Sequence, residues 1–398
     1  MNPGDWPDRW RRELAAELDA VARWWLEHVI DLDRGTIAGA VSAAHRADSR
    51  APLNLVYVAR LLWFFSALAE RSGEAVHHAA ASLCHTRLVH DFRDARDGGL
   101  FWQVAPDGRP LARKKQTYGL AFAVYALARH GQACGCAAAR RQARELAQRI
   151  EARLLDRRYG GFLEALDRDW RPLADVRLGP TDLNADKTLN THLHLLEAWT
   201  ALARIEASAA PRLRELLRLY LERFVPGADG TATGFYTRDW QPLSAGHSPG
   251  HAIEASWLLC DAAAVLDDPA IRAAVQPVAL GLAEGVLAAA VDDDGGVVGE
   301  LRDGRVSEPH RVWWVQAEAM VGFFNAWQLG GDERFLRASA NSWAFIRAHH
   351  VDPERGEWRW YSALDVDAPE TGLAGPWKAP YHNGRALLEL LRRLEAQR

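Results

Sequence analysis

The sequence has 398 residues, of which 48% are hydrophobic and 25% are charged, and its formal net charge is −4. This balance is ordinary for a globular protein and gives no electrostatic reason to expect binding to nucleic acid or to an anionic membrane. The N-terminus is charged instead of apolar, and there is no run of about 18 apolar residues, so a cytoplasmic protein is predicted. A small neutral ligand is the expected partner.

The numbers of cysteines and tryptophans indicate which cross-links and which ligands to expect. Four cysteines are too few for a disulfide framework at this length. The C-x-C pair of Cys134 and Cys136 lacks the second cysteine pair of a structural zinc site, so free thiols are predicted. The 17 tryptophans are also unusual, because indole faces both pack in cores and stack on sugar rings. A carbohydrate ligand is therefore one interpretation.

Helical periodicity dominates the chain, with Ala, Leu, Arg and Glu at helical spacing. Twelve helices are predicted, near residues 6–30, 51–71, 73–94, 115–131, 134–156, 187–206, 209–225, 249–266, 268–290, 310–329, 332–350 and 381–396. Between them, a glycine followed by alternating apolar residues predicts short β-hairpins. The marker glycines Gly99, Gly161, Gly234, Gly296 and Gly356 are separated by 62, 73, 62 and 60 residues. This spacing indicates an internal repeat.

The repeat predicts the architecture. A period of about 60 residues with two helices in each unit gives six units over the chain. Closing these units predicts an all-α (α/α)6 barrel of six inner and six outer helices, with short β-hairpins in the connecting loops; an open solenoid is the alternative. Closure is favoured because the even-numbered helices carry isolated polar residues on apolar backgrounds. Since no linker divides the chain, residues 1–398 are predicted to form a single catalytic domain.

Arg60 and Tyr118 are the first polar residues of the predicted inner helices. Arg60 lies on an otherwise apolar helix, with Tyr57 three residues before it. A buried guanidinium needs either a carboxylate, such as Glu254 or Glu318, or a negatively charged ligand. Both interpretations stay open at this point.

The segment NTHLHLLE carries a polar stripe on a helix that is otherwise apolar. Asn190, His194 and Glu197 lie at i, i+4 and i+7 and so face one side, whereas His192 faces the opposite side. A set of core residues that satisfy one another would give the same pattern. We expect His192 to be structural.

The segment GHSPGHAIEASWLL places His251 in the first turn of a helix, with Glu254 at i+3 on the same face. The positive end of the helix dipole disfavours imidazolium there and keeps a neutral base available. His247 lies four residues before His251, a spacing known from zinc sites. Because Pro249 and Gly250 interrupt the helix between the two histidines, no metal site is predicted.

The C-terminal segment GPWKAPYHNGRALLELL repeats this design, with Pro380 ahead of His382 at the start of a helix. Two such histidines on inner helices would lie at the same end of a barrel. Trp314 and Glu318 share one face of the tenth predicted helix, and Trp377 lies just ahead of His382. The tryptophans suit a sugar platform, and they also suit plain packing.

The segments NTHLHLLEAW, PGHAIEASWLL, WWVQAEAMVGFFNAWQLGGDERFL and GPWKAPYHNGRA resemble the signature segments of the N-acylglucosamine 2-epimerase superfamily. The resemblance spans residues 60 to 383 and is strongest to the cellobiose 2-epimerase and mannose 2-epimerase branch. It implies an (α/α)6 barrel and a cofactor-free, metal-independent interconversion of sugars at C2. One departure concerns Ser248-Pro249-Gly250-His251, which is more similar to members that act on monosaccharides, so the size of the substrate stays open.

The resemblance also implies roles for individual residues. His251 and His382 become the acid/base pair, Arg60 contacts the C1 and C2 oxygens of the sugar, and Glu254 is the orienting carboxylate. His194 and Asn190 contact the reacting sugar, and Trp314 and Trp377 stack on it. Tyr118 and Glu318 complete the predicted substrate-binding set.

The predicted function is that of a sugar 2-epimerase acting on a glucose or mannose unit, free or at the reducing end of a β-1,4-disaccharide such as cellobiose. Loss of the C2 proton from an open-chain aldose gives an enediolate that needs a cation or hydrogen-bond donors, which Arg60 and His194 could supply. Alternatives are an aldose-ketose isomerase, a glycoside hydrolase using Glu254 and Glu318, and a sugar-binding protein without turnover. A monomer or a homodimer is expected.

Overall fold

The computed structural model describes residues 6–225, 234–244, 246–352 and 356–397. Within these residues the chain forms twelve α-helices: α1 (Trp6–His28), α2 (Leu55–Ser72), α3 (Ala75–Asp91), α4 (Thr117–Ala133), α5 (Ala137–Arg153), α6 (Leu189–Ile205), α7 (Ala210–Arg223), α8 (Pro249–Leu266), α9 (Pro269–Ala289), α10 (Trp313–Gly330), α11 (Glu333–His349) and α12 (His382–Glu395). A short 3-10 helix, Ala207–Ala209, precedes α7. Each predicted helix is present. Helices α2, α4 and α6 begin at residues 55, 117 and 189 because short strands occupy the positions just before them.

Burial separates the helices into two rings. The even-numbered helices are buried on nearly every side, as in α2, whose buried residues run without a break from Leu55 to Ala69. The odd-numbered helices bury one stripe, as in α5, where Ala139, Ala143 and Ile150 face inward. This pattern follows from amphipathicity, since an outer helix meets water on one face and an inner helix does not.

The inner helices form a closed ring. Helices α2, α4, α6, α8, α10 and α12 pack on one another in this order, and each outer helix packs on an inner neighbour. The ring closes between α12 and α2, where Gly384 lies so close to Phe64 that a β-carbon would not fit. Arg71 and Glu395 add a 2.7 Å ion pair across the same seam. The predicted (α/α)6 barrel is confirmed, and the open solenoid is wrong.

One described helix, α9, is long and apolar enough by length and composition alone to cross a membrane. In this structure α9 is an outer helix of the barrel and packs against α8 and α10. Its buried stripe includes Val275, Leu282 and Val286.

Short strands connect the repeats. They are β1 (Ile30–Asp31), β2 (Thr36–Ile37), β3 (Ala40–Val41), β4 (Ala47–Asp48), β5 (Leu53–Asn54), β6 (Gln103–Val104), β7 (Pro110–Ala112), β8 (Lys115–Gln116), β9 (Ala165–Leu166), β10 (Lys187–Thr188), β11 (Phe235–Tyr236), β12 (Gly246–His247), β13 (Glu300–Arg302) and β14 (Arg305–Glu308). Their antiparallel sheets are β1–β2, β3–β4, β5–β6–β7, β8–β9, β10–β11 and β12–β13–β14.

The pairing of these strands differs from the prediction of local hairpins. The hairpins expected after Gly99 and Gly296 are present as β6–β7 and β13–β14. The hairpins expected after Gly161 and Gly234 are each reduced to a single local bridge. The strand that precedes an inner helix pairs instead with a strand of the following repeat, as in β8–β9 and β10–β11. Isolated two-residue hairpins are marginal, and pairing between repeats supplies the missing partners. The region after Gly356 contains isolated bridges, including that between Val351 and Trp358.

Two successive repeats contain the same buried ion cluster beneath these strands. In each, a lysine just before an inner helix and an arginine from the next loop contact one aspartate. The clusters comprise Lys115, Asp94 and Arg168, and then Lys187, Asp156 and Arg238, with N–O distances of 2.9 to 3.1 Å. The lysines and aspartates are fully buried, so each charge depends on its partner.

Replacing Asp156 with Asn should leave the Lys187 ammonium buried without its counter-charge. We expect the free energy of unfolding at pH 7 to fall by about 3–5 kcal/mol, the cost of breaking a buried pair by removing one partner. Urea denaturation measures this change. The control is Glu284→Gln, which removes a solvent-exposed pair with Arg334 and should leave stability almost unchanged. Equal effects of the two substitutions would contradict the assigned importance of the buried cluster.

Candidate active site

The N-terminal turns of the inner helices meet at one end of the barrel and surround a cavity of about 280 Å³. Every inner helix contributes to its wall, which comprises Arg60, Tyr118, Asn190, His194, His251, Glu254, Trp313, Trp314 and His382, together with Trp360, Trp377 and residues 178–182 from loops. Nine of the ten predicted site residues line this cavity. The tenth, Glu318, lies directly behind His382. Helix N-termini carry partial positive charge, so the cavity suits an anion.

His382 is oriented by a carboxylate. Its Nδ1 lies 2.6 Å from Oε1 of Glu318, and its Nε2 lies 3.5 Å from a terminal nitrogen of Arg60. A carboxylate accepts, so we assign the ring proton to Nδ1, which leaves the Nε2 lone pair beside Arg60. Burial, and then the charges of Arg60 and Arg385, hold the pKa of His382 well below its usual value. The ring is therefore neutral and can accept a proton.

Arg60 is 3% exposed and contacts no carboxylate among the described residues. Its terminal nitrogens donate to the Tyr118 hydroxyl at 3.0 Å and to the Trp377 carbonyl at 3.3 Å. Its Nε has no hydrogen-bond partner within the described chain. The interpretation of Arg60 as an internal salt bridge to Glu254 or Glu318 is therefore wrong. The cation remains available to a negatively charged group in the cavity.

Those carboxylates are bound instead by Arg385, a residue that sequence reasoning missed. Arg385 is 3% exposed, donates to Glu254 at 2.5 Å and to Glu318 at 2.6 Å, and also contacts Glu197. Arg385 lies one turn after His382 on α12, so its i+3 spacing was a signal that could have identified it.

The three carboxylates differ in protonation. Burial, and then the neighbouring Glu318, raise the pKa of Glu254, and burial also raises the pKa of Glu318 against the effect of Arg385. Burial acts in the same direction on Glu197, but Arg385 and His194 outweigh it and lower the pKa of that carboxyl to about 2. Oε2 of Glu254 has no partner in the described structure. We therefore assign a proton to Glu254 and full charge to Glu197.

His194 and Asn190 form a second wall of the cavity. Nδ1 of His194 lies 3.0 Å from Oε2 of Glu197, whose carboxylate also accepts from the Tyr381 hydroxyl at 2.6 Å. Burial lowers the pKa of His194, although Glu197 opposes the shift. Oδ1 of Asn190 is buried without a partner in the described residues. In the polar stripe predicted from the sequence, His194 and Glu197 are thus hydrogen-bonded to each other, whereas the Asn190 side-chain oxygen has no partner in the described residues.

His192 lies outside this wall, as expected for a structural residue. Its Nδ1 bonds to the Thr188 carbonyl at 2.7 Å, and its Nε2 accepts from the Phe162 amide at 2.9 Å. Both ring nitrogens are therefore occupied by the backbone.

His251 lies in the first turn of α8, where the Ser248 hydroxyl accepts from its amide at 3.3 Å. Its ring packs on Trp314 with centroids 5.0 Å apart, and Trp314 in turn lies 5.3 Å from the ring of His382. Burial, followed by His194, lowers the pKa of His251 to about 3. The described side chains offer its ring no hydrogen bond, so its nitrogens are free to meet a ligand.

Half-buried tryptophans line the cavity around these imidazoles. Trp314 and Trp377 were predicted, whereas Trp360 and the buried Trp313 were not. Trp360 comes from an irregular loop, where no periodicity marks a residue for the interior. The indole faces supply the apolar surface that sugar rings use.

The cluster of Glu254, Glu318 and His382 has ligand atoms within 4.8 Å of one another and could in principle bind a metal ion. Arg385 already bonds to both carboxylates, and Nδ1 of His382 donates to Glu318. The guanidinium thus supplies the positive charge that a metal ion would bring. Glu318 also does not line the cavity, which argues against a hydrolase in which both glutamates flank a glycosidic bond.

Comparisons with known proteins identify the family. The N-acylglucosamine 2-epimerase (GlcNAc 2-epimerase) family model matches residues 39–386. A cellobiose 2-epimerase of Bacteroides fragilis is 35% identical over 387 residues, covering 96% of this chain and 98% of the relative. A D-mannose isomerase of Marinomonas mediterranea is 24% identical and covers 81% of each chain. The solved cellobiose 2-epimerase of Spirochaeta thermophila DSM 6192 has a TM-score of 0.90 and 36% identity, covering 100% of this chain and 99% of that one.

Replacing Arg385 with Met should leave three buried carboxyl groups without a counter-charge. At pH 7 we expect the free energy of unfolding to fall by about 3–5 kcal/mol. Without the guanidinium, the folded-state pKa values of Glu254 and Glu318 rise further above the unfolded value. Groups with a raised pKa contribute to stability at low pH, and this contribution is lost as the pH rises. The stability deficit of the variant relative to the wild type should therefore shrink as the pH is lowered from 8 to 5.

Urea denaturation across this pH range measures the deficit, with Arg392→Met as the control. Arg392 lies on the same helix, but its side chain is 63% exposed and pairs with Glu389 at the surface. A deficit that is independent of pH would contradict the assignment of Arg385 as the counter-charge.

Proposed function

We propose that this chain, which belongs to the N-acylglucosamine 2-epimerase family, inverts C2 of a glucose or mannose unit, either free or at the reducing end of a β-1,4-disaccharide such as cellobiose. Its class as a sugar epimerase follows from the family match and from relatives that align over nearly its full length. The choice of a disaccharide is supported by those relatives, which are cellobiose 2-epimerases. Sequence features around Pro249 leave the free monosaccharide as a second substrate.

One observation carries the proposal. Three polar atoms of cavity-lining residues are buried without a partner in the described structure: Nε of Arg60, Oδ1 of Asn190 and Oε2 of Glu254. Buried polar groups are normally hydrogen-bonded, and the cavity that these residues line has room for a ligand that carries hydroxyl groups. The same cavity contains three neutral imidazoles, His194, His251 and His382, and imidazoles are the groups that proton transfer at carbon most often uses.

The first step is removal of the C2 proton from the open-chain aldose. Nε2 of His382 is the available base, since its Nδ1 proton is engaged by Glu318. Proton loss from C2 moves negative charge onto O1 and gives an enediolate. Arg60 lies beside Nε2 of His382, and the helix N-termini add positive potential, so the charge develops next to preorganised cations.

The second step is return of a proton to the opposite face of C2. His251 packs on Trp314, as His382 does, but it comes from a different inner helix, and we assign it to that face. The neutral ring of His251 takes up a proton from solvent once the anionic enediolate has formed beside it, delivers that proton to C2 and returns to its neutral state. His382 releases the abstracted proton to solvent, which completes the cycle. The attraction between the protonated imidazole and the enediolate exists only once the intermediate forms, which is the condition for lowering a barrier.

Supporting groups open and hold the sugar. His194, with Nδ1 bonded to Glu197, offers Nε2 for the proton transfers of ring opening. A protonated Glu254 donates a hydrogen bond to a sugar oxygen without adding negative charge near the enediolate. A cavity of about 280 Å³ suits one enclosed sugar ring, so a second ring would lie at the open side beside Trp360 and residues 178–182.

Product identity in heavy water tests the reaction. With cellobiose as substrate we expect the glucosyl-mannose epimer, with deuterium incorporated at C2 as seen by NMR and mass spectrometry. With mannose we expect glucose labelled in the same way. Ketose as the sole product would instead support an aldose-ketose isomerase, release of free glucose from cellobiose a hydrolase, and no turnover a binding protein.

The pH dependence of kcat/KM tests the state of His251. Because its pKa is lowered to about 3, protonation should not inactivate the free enzyme until far below neutral pH. We expect kcat/KM to change less than about twofold between pH 7.5 and 5.5, whereas an unshifted histidine of pKa near 6.5 would lose about tenfold. An acidic limb centred near pH 6.5 would contradict the assignment of a neutral His251 in the free enzyme.

A further inference from the structure

A second group of potential metal ligands lies where α3, α4 and α5 converge. His85 on α3, His130 in the last turn of α4 and Cys136 at the start of α5 have ligand atoms within 4.8 Å of one another. Tyr118, at the opposite end of α4, lines the active-site cavity. The group is therefore separated from that cavity by most of a helix length.

Each imidazole of this group has one ring nitrogen hydrogen-bonded to a neighbouring side chain. Nε2 of His85 lies 2.8 Å from the Gln142 amide oxygen, which only accepts, so Nε2 carries the proton and Nδ1 keeps a lone pair. Nδ1 of His130 lies 2.9 Å from the Ser66 hydroxyl. Donation to that hydroxyl leaves the Nε2 lone pair of His130 free. Such hydrogen bonds from the other ring nitrogen are the usual support of metal-binding histidines.

The position of the cysteine is fixed by the turn between α4 and α5. The Cys134 amide donates to the His130 carbonyl at 3.0 Å, and Nε of Arg140 donates to the Gly131 carbonyl at 2.8 Å. Cys136 itself is a free, partly exposed thiol. In the sequence this C-x-C pair lacks a second cysteine pair. In the fold, two histidines from neighbouring helices, His85 and His130, lie beside Cys136.

We propose that His85, His130 and Cys136 form a zinc site that joins α3, α4 and α5. Two imidazoles and a thiolate are ligands of borderline softness, which favour Zn²⁺ over the oxygen-preferring Mg²⁺ and Ca²⁺. Three protein ligands leave one tetrahedral position, which water can reach because His85 and Cys136 are partly exposed. Zinc bound only to the native state stabilises it, and this site is independent of the proposed epimerase function.

Equilibrium dialysis of the full chain tests the proposal, after treatment with a chelator and addition of Zn²⁺. We expect one zinc ion per chain, at least tenfold weaker binding in both Cys136→Ser and His85→Gln, and a 10–100-fold loss in Gln142→Leu, which removes an orienting bond. The matched controls are Cys260→Ser on α8 and the exposed His90→Gln on α3, which should bind zinc as the wild type does. Circular dichroism verifies that each variant is folded.

Cobalt provides a second readout. Co²⁺ in the same site should give a thiolate-to-metal charge-transfer band that Cys136→Ser lacks, and Zn²⁺ should raise the thermal midpoint of the wild type but not of that variant. Turnover of sugar should be the same with and without zinc. No saturable binding by the wild type, or binding that survives either Cys136→Ser or His85→Gln, would overturn the three-ligand site.

Discussion

A single buried guanidinium organises the active site. Arg385 on α12 bonds to carboxylates from three other inner helices, Glu197 on α6, Glu254 on α8 and Glu318 on α10. Burying these charges is costly unless each is paired, so the cluster stabilises the packing of the four helices in this register. The contacts of Arg385 with these carboxylates therefore help to fix the position of each helix along the barrel axis and its orientation toward the cavity.

Each of these carboxylates also has a chemical consequence. Glu197 orients His194, and Glu318 fixes the proton of His382 on Nδ1 so that Nε2 faces Arg60. The cavity beyond them is rich in positive potential, from Arg60 and from helix N-termini, yet its histidines are neutral. In the proposed reaction, this positive potential interacts weakly with a neutral sugar and strongly with an anionic enediolate. Catalysis depends on such a difference between the ground state and the intermediate.

The barrel could be predicted from the sequence because its signals are local. Helical period, the glycine-marked repeat and polar residues on alternate helices are all visible within short windows, and they placed Arg60, His194, His251 and His382 on inner helices. The partners of those residues were not predictable in this way. Arg385 joins residues up to 188 positions away in the chain, and nothing near Arg60 shows that its carboxylates are taken by another arginine.

The strands and loops that connect the helices were also less predictable than the helices themselves. The strands are two to four residues long, and half of their pairings join neighbouring repeats, so alternation in one loop suggested complete local hairpins where some described loops form only a single bridge. Trp360 is part of the cavity wall by virtue of a loop path that has no period. Sequence patterns thus predicted most of the polar groups on the inner helices, but not Arg385, whose partners are distant in the chain, nor Trp360, whose position depends on a loop.

The central claim is that two imidazoles serve opposite faces of C2. The most direct test is exchange of the C2 proton with heavy water, measured by NMR separately from each epimer, in His251→Asn and in His382→Asn. The account predicts that each variant loses exchange from a different epimer while it retains exchange from the other. Loss of exchange from the same epimer in both variants, or full exchange in either, would contradict it.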